Sequence, residues 1–130
     1  MEKEIIKIFN LVKEKEKLDK VSSWGNTETY LKGLKLELEE VEIEFANKKR
    51  AYLEDELGDV FWTFCNLLSN LEKEKLIEKE NVFSRCVKKF EERLNGLKQG
   101  VEWEETKKDQ KKKLAREQIQ LETESKNRQK

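Results

Sequence analysis

Residues 49–71 read KRAYLEDELGDVFWTFCNLLSNL. Leu53, Leu57, Val60, Phe61, Phe64, Leu67, Leu68 and Leu71 recur at steps of three and four, the period of one face of an α-helix. The spacing predicts a helix from about Lys49 to Asn70. Just upstream, Leu31, Leu34, Leu38, Val41 and Phe45 form the same kind of stripe, predicting a helix from about Thr29 to Asn47. A link this short makes the two helices antiparallel neighbours. Further outward, Ile5, Ile6, Phe9, Leu11, Val12 and Leu18 mark a helix over residues 3–18. Val82, Phe83, Cys86, Val87, Phe90, Leu94 and Leu97 mark another over residues 79–98, with these side chains inward. Ser22, Ser23, Gly25 and Asn26 gather turn formers around Trp24, and Asn26 or Thr27 stands where a helix cap belongs. The expected fold is all-α, a four-helix bundle core over residues 1–100 with a charged C-terminal helical extension over residues 101–130. From Lys107 onward only Leu114, Ala115, Ile119 and Leu121 are apolar, so this extension is either a solvated helix resting on a partner or a frayed tail.

Composition agrees. One hundred and thirty residues suit one domain, and 43% charged residues with no proline favour charged-surface helices over turn-rich sheets. Lys plus Arg equals Asp plus Glu at 28 each, so no overall field draws the chain to nucleic acid or an anionic membrane, and neither is expected as a partner. The longest mostly apolar stretch, Val60 to Leu68, is far short of the roughly 20 residues of a membrane span. Met1 to Phe9 interleaves charges with apolar residues and lacks the core of a secretory signal, which points to the cytoplasm. Cys65 and Cys86 both sit in helical patterns and read as reduced core thiols. Histidine is absent. Ser-His-Asp and Cys-His hydrolases, helical zinc proteases and di-iron bundles are thereby excluded, and chemistry must come from carboxylates, basic side chains or a hard metal ion.

Two acid pairs stand out, Glu37 with Glu40 and Glu56 with Asp59, each at i and i+3. Spacing alone is weak, since chance yields about six such pairs in a chain this acidic. Position adds weight. Glu37 and Glu40 lie roughly 80° and 140° round from the centre of their helix's apolar stripe, and Glu56 and Asp59 roughly 75° and 135° round from theirs, in the same sense. Neighbouring helices would thus bring both pairs to one cleft. Four convergent carboxylates repel unless a divalent cation sits among them, and an all-oxygen set suits Mg²⁺ or Mn²⁺. The competing reading is a merely solvated acidic face. Gly58 lies inside the strongest helical pattern, which predicts a close backbone approach there. Asn66, seven residues after Asp59 amid apolar neighbours, is either a paired buried amide or a ligand contact.

These residues resemble a known family. Leu36-Glu37-Leu38-Glu39-Glu40-Val41, then Glu56-Leu57-Gly58-Asp59-Val60-Phe61, then Asn66-Leu67, is similar to the MazG-like nucleotide pyrophosphohydrolases of the all-α NTP pyrophosphatase superfamily, whose signature is Glu-x-x-Glu, a gap and Glu-x-x-Asp. Downstream, Lys89-Phe90-Glu91-Glu92-Arg93 resembles the family's Lys-Phe-x-x-Arg segment, and Trp24 resembles the tryptophan that opens many members. The resemblance covers Trp24 to about Leu97. Gly25 stands where many members have aspartate, and Val87 where they often have asparagine. The resemblance implies Mg²⁺-dependent hydrolysis of a nucleoside or deoxynucleoside triphosphate to the monophosphate and pyrophosphate. It implies that Glu37, Glu40, Glu56 and Asp59 hold the metal and serve catalysis, with Mn²⁺ as an alternative ion. Lys89 and Arg93, at i and i+4, would meet the phosphates, and Asn66 would contact substrate. Trp24 would close over the base, or act as a core anchor. Members are usually dimers or tetramers. Trp62, Leu36 and Ile43 point away from the core stripes, which agrees with a homodimer or homotetramer.

The alternative function is a non-catalytic helical interaction module with residues 101–130 as a docking arm. Nucleic-acid binding through Lys107 to Lys113 is weaker still, because Asp109 and the nearby glutamates dilute the charge.

Overall fold

The computed structural model describes residues 1–19 and 26–128, and these fold as five helices with no strand among the described residues. In chain order they are α1 (Glu2–Asp19), α2 (Thr27–Asn47), α3 (Arg50–Lys73), α4 (Lys79–Lys98) and α5 (Trp103–Arg128). The all-α expectation holds. The chain divides into two compact units, Met1–Lys79 and Glu80–Lys130. The junction near residue 100 that composition marks is the turn between α4 and α5, inside the second unit.

In the first unit the helix ends follow the sequence closely. Asn26 has the extended backbone of a cap, and its Oδ1 accepts from the Thr29 N–H at 2.8 Å and the Thr29 hydroxyl at 2.9 Å. At the other end of α2, Lys48 turns left-handed at φ 53°, its N–H bonding to the Phe45 carbonyl, and only Lys48 and Lys49 separate the two helices. The register of the hairpin is plain from its contacts. Asn70 donates to Thr27 at 2.7 Å near the open end. A Cβ on Gly33 would lie 3.7 Å from the Thr63 methyl. Asp59 acts on Glu37, and Glu40 on Glu56. Numbers rise on one helix as they fall on the other, so α2 and α3 run antiparallel.

The α1 helix lies against this hairpin. Phe9 meets Phe61 edge-on with centroids 6.5 Å apart, Ser69 donates to Glu16, and Lys15 donates to the Tyr30 hydroxyl at 2.8 Å. Burial concentrates in Val12 and one turn of α3, Cys65 through Leu68. The core is therefore smaller than the apolar stripes predict. Phe45, expected inward, is 72% exposed, and Leu31 and Leu38 are also exposed. Within the first unit no described element covers that side of α2. Cys86, read as a core thiol, is exposed, whereas Cys65 is fully buried and burial pushes its thiol pKa up.

The second unit is the α4–α5 hairpin. Gly100 takes φ +83°, its N–H bonding to Leu97 at 3.1 Å while the Val101 N–H reaches back to Gly96 at 2.8 Å, the paired bonds that end a helix on a left-handed residue. Gly96 also permits close packing, because a Cβ there would lie 2.8 Å from the Thr106 hydroxyl. Phe90 and Trp103 meet with centroids 6.0 Å apart, and Arg85 makes a two-pronged ion pair with Glu117. The charged extension is thus a helix through Arg128, joined to α4 chiefly by polar contacts.

Candidate metal centre

The two acid pairs meet. Glu37, Glu40, Glu56 and Asp59 each offer a carboxylate oxygen, and these four oxygens lie within 4.8 Å of one another. The cause is the antiparallel register. Each pair occupies one turn of its helix at the same offset from the apolar stripe, so pairing Glu37 with Asp59 also pairs Glu40 with Glu56.

Among the described residues no cation pairs with them. Glu37 Oε2 and Glu56 Oε2 are buried with no hydrogen-bond partner. Partial burial raises the Glu37 pKa, helped by the charges of Glu40 and Asp59. A hydrogen bond shared with Glu40, then burial, then the charges of Glu40, Asp59 and Glu37 push Glu56 up to about 7. Solvated acidic faces do not behave so. Buried oxygens without donors, held within 4.8 Å of like charges, call for a proton or a cation. The all-oxygen set fits a hard divalent ion, with no nitrogen or sulfur to favour zinc or copper.

The other expected site residues fall elsewhere. Asn66 is 3% exposed, and its Nδ2 donates to the Trp62 carbonyl one turn back at 2.8 Å, so its amide is at least half satisfied within its own helix. Lys89 and Arg93 lie in the second unit, where Arg93 is 8% exposed and its Nε donates to Gln110 Oε1 at 2.9 Å. Trp24 lies outside the described residues. The close approach expected at Gly58 is not supplied by the described residues, since a Cβ there would meet nothing within 4 Å.

Two features escaped the sequence reading. Glu44, one turn beyond Glu40, also has a buried oxygen without a partner; its i+4 relation to Glu40 was the available signal. Gln110 fixes Arg93 and also donates to the Lys89 carbonyl and to Glu92, and no periodicity marks a lone glutamine. Residues 26–97 match the profile of the MazG nucleotide pyrophosphohydrolase domain. No curated protein and no solved structure matches the chain.

Proposed function

Because the chain belongs to the MazG nucleotide pyrophosphohydrolase family, we propose that it hydrolyses a nucleoside or deoxynucleoside triphosphate to the monophosphate and pyrophosphate, using Mg²⁺ or, in its place, Mn²⁺. The observation that carries this reading is the convergence of carboxylate oxygens from Glu37, Glu40, Glu56 and Asp59 within 4.8 Å of one another, with one oxygen each of Glu37 and Glu56 buried without a hydrogen-bond partner. These four carboxylates would hold the ion. When bound, it supplies neutralisation and orientation of the phosphate oxygens.

The remaining chemistry belongs to the side chains. Water adds to the α-phosphorus, the bond to the bridging oxygen breaks, and pyrophosphate leaves with that oxygen. The proton lost by water passes to a quartet carboxylate. Lys89 and Arg93 serve as cations for the phosphates, on the strength of their Lys-Phe-x-x-Arg segment. Asn66 and Trp24 complete the substrate-binding set that the family resemblance implies.

The chain assembles with itself in this reading, as a homodimer or homotetramer. Leu36, Leu38, Ile43 and Phe45 leave apolar area exposed along α2, and Tyr52 and Leu57 do so on α3. No helix among the described residues is long and apolar enough to cross a membrane. Two free thiols and a nucleotide substrate suit the reducing cytoplasm.

The deciding experiment is pyrophosphate release from a panel of canonical and modified nucleoside triphosphates, with Mg²⁺, with Mn²⁺ and with EDTA. Release that needs the metal and disappears in Asp59→Asn is expected. Silence from folded protein across the panel would sink the proposal.

A further inference from the structure

Gln110 stands on α5, past residue 97 where the matched family domain ends, yet three side-chain hydrogen bonds tie it back to α4. Its Oε1 accepts from Arg93 Nε at 2.9 Å, and its Nε2 donates to the Lys89 carbonyl at 3.0 Å and to Glu92 Oε2 at 3.1 Å. These partners fix which way the amide faces. A flip would set its NH₂ against a guanidinium that only donates, and its oxygen against a carbonyl and a carboxylate that accept.

Rings hold the rest of Arg93. Its guanidinium carbon lies 5.3 Å from the Phe90 centroid and 5.2 Å from that of Trp103, which also stands outside the matched domain. Arg93 is largely buried, and among the described residues only its Nε has an acceptor. Both terminal NH₂ groups are thus held in place without one.

None of these contacts is an ion pair. No carboxylate among the described residues pairs with Arg93, and Glu92, its neighbour in the chain, bonds to Gln110 instead. A carboxylate would hold the guanidinium more tightly, but it would also neutralise the charge that a phosphate needs. An amide oxygen takes the Nε hydrogen bond and leaves that charge whole.

We propose that Gln110 is a positioning residue for the hydrolytic reaction, a neutral brace from the C-terminal extension that fixes Arg93 and preserves its positive charge for the substrate phosphates. That role rests on the pyrophosphohydrolase reading, through the assignment of Arg93 to the phosphates. It gives α5 a part in the reaction that the family domain does not itself contain.

The test measures kcat and KM for pyrophosphate release by the full chain with Mg²⁺, alongside the Kd of a non-hydrolysable nucleoside triphosphate analogue by calorimetry. Gln110→Glu keeps the shape and the Nε acceptor but adds a negative charge. It should raise KM and Kd about tenfold with kcat within about twofold, the pattern of binding lost equally from ground and transition states. Gln110→Met, uncharged and of similar size, frees Arg93 without neutralising it and should raise both by less; a larger rise than in Gln110→Glu overturns the neutral brace. Adding Glu92→Gln to Gln110→Glu restores a hydrogen bond between the two positions while the new charge stays on Arg93, so KM should remain high. A return to the unaltered KM would make Gln110 a structural contact only. Glu117→Gln breaks a different α4–α5 contact, the pair with Arg85, and should change KM by less than about twofold; a rise equal to that of Gln110→Glu would trace the effect to the docking of α5 as a whole and overturn the proposal. Arg93→Ala separates the two possible failures. If it raises KM and Gln110→Glu does not, the brace fails and the enzyme stands; if it changes neither KM nor Kd, the assignment of Arg93 to the phosphates fails and takes the brace with it. A chain without turnover refutes the enzyme, and an unchanged Kd in Gln110→Glu then refutes the brace as well.

Discussion

Glu56 on α3 keeps its proton up to about pH 7 because Glu40 on α2 shares it across the hairpin. With both ionised, two like-charged acceptors face each other across the hairpin. The folded pKa lies above the value of 4.5 for an unperturbed glutamate. The stabilisation from holding this proton is therefore complete below about 4.5 and is lost as pH rises through about 7. In EDTA the melting temperature should fall between pH 5 and pH 8, and Mg²⁺ should restore it at pH 8. A flat melting profile over that range, followed by circular dichroism, would contradict the shared proton.

Glu56→Gln replaces the shared proton with a permanent amide donor and removes one like charge. The metal-free variant should melt above the unaltered chain at pH 8 and gain less from added Mg²⁺. Pyrophosphate release should drop by at least about 100-fold, the scale seen when one charge-stabilising group is taken from a catalytic site. Retained turnover would remove Glu56 from the site.

Lys48 holds φ 53° at the end of α2, a region that costs a side chain about 1 kcal/mol or more and costs glycine little. Lys48→Gly should raise stability in urea by about 0.5–1 kcal/mol without changing the dependence on denaturant. A destabilised variant would mean that the Lys48 side chain supports the turn in some other way.

Gly58 has open space where a Cβ would sit, and glycine inside a helix costs about 1 kcal/mol relative to alanine. Gly58→Ala should stabilise the chain by about that amount in chemical unfolding. Should it instead weaken self-association in light scattering, a second copy occupies that space.

The acid quartet was legible in the sequence because a helix converts spacing into angle. Equal offsets from two apolar stripes, joined by a short link, leave one place for the pairs to meet. The apolar stripes overstated the core for the converse reason. Periodicity identifies the face that avoids water but not what covers it, so Phe45 satisfies the pattern on α2 and still lies open. The attachment of α5 was hidden because Gln110, the Arg85–Glu117 pair and the Gly96–Thr106 approach join residues distant in sequence through polar or very small groups. None of these leaves a hydrophobic period. Asn26 was readable as a cap candidate, since a cap needs only its immediate neighbours.

The Lys48–Lys49 turn works as a ruler. Since α2 and α3 run in opposite directions from it, the distance from the turn back to Glu40 must match the distance forward to Glu56. Deleting one residue from α3 ahead of Glu56, with helix continuity kept, would swing its acids by about 100° relative to Glu40. Lengthening the tip preserves the meeting point only when both arms grow by matched whole turns, so related chains that keep this chemistry should vary the tip in such paired increments and leave the acid-bearing turns untouched.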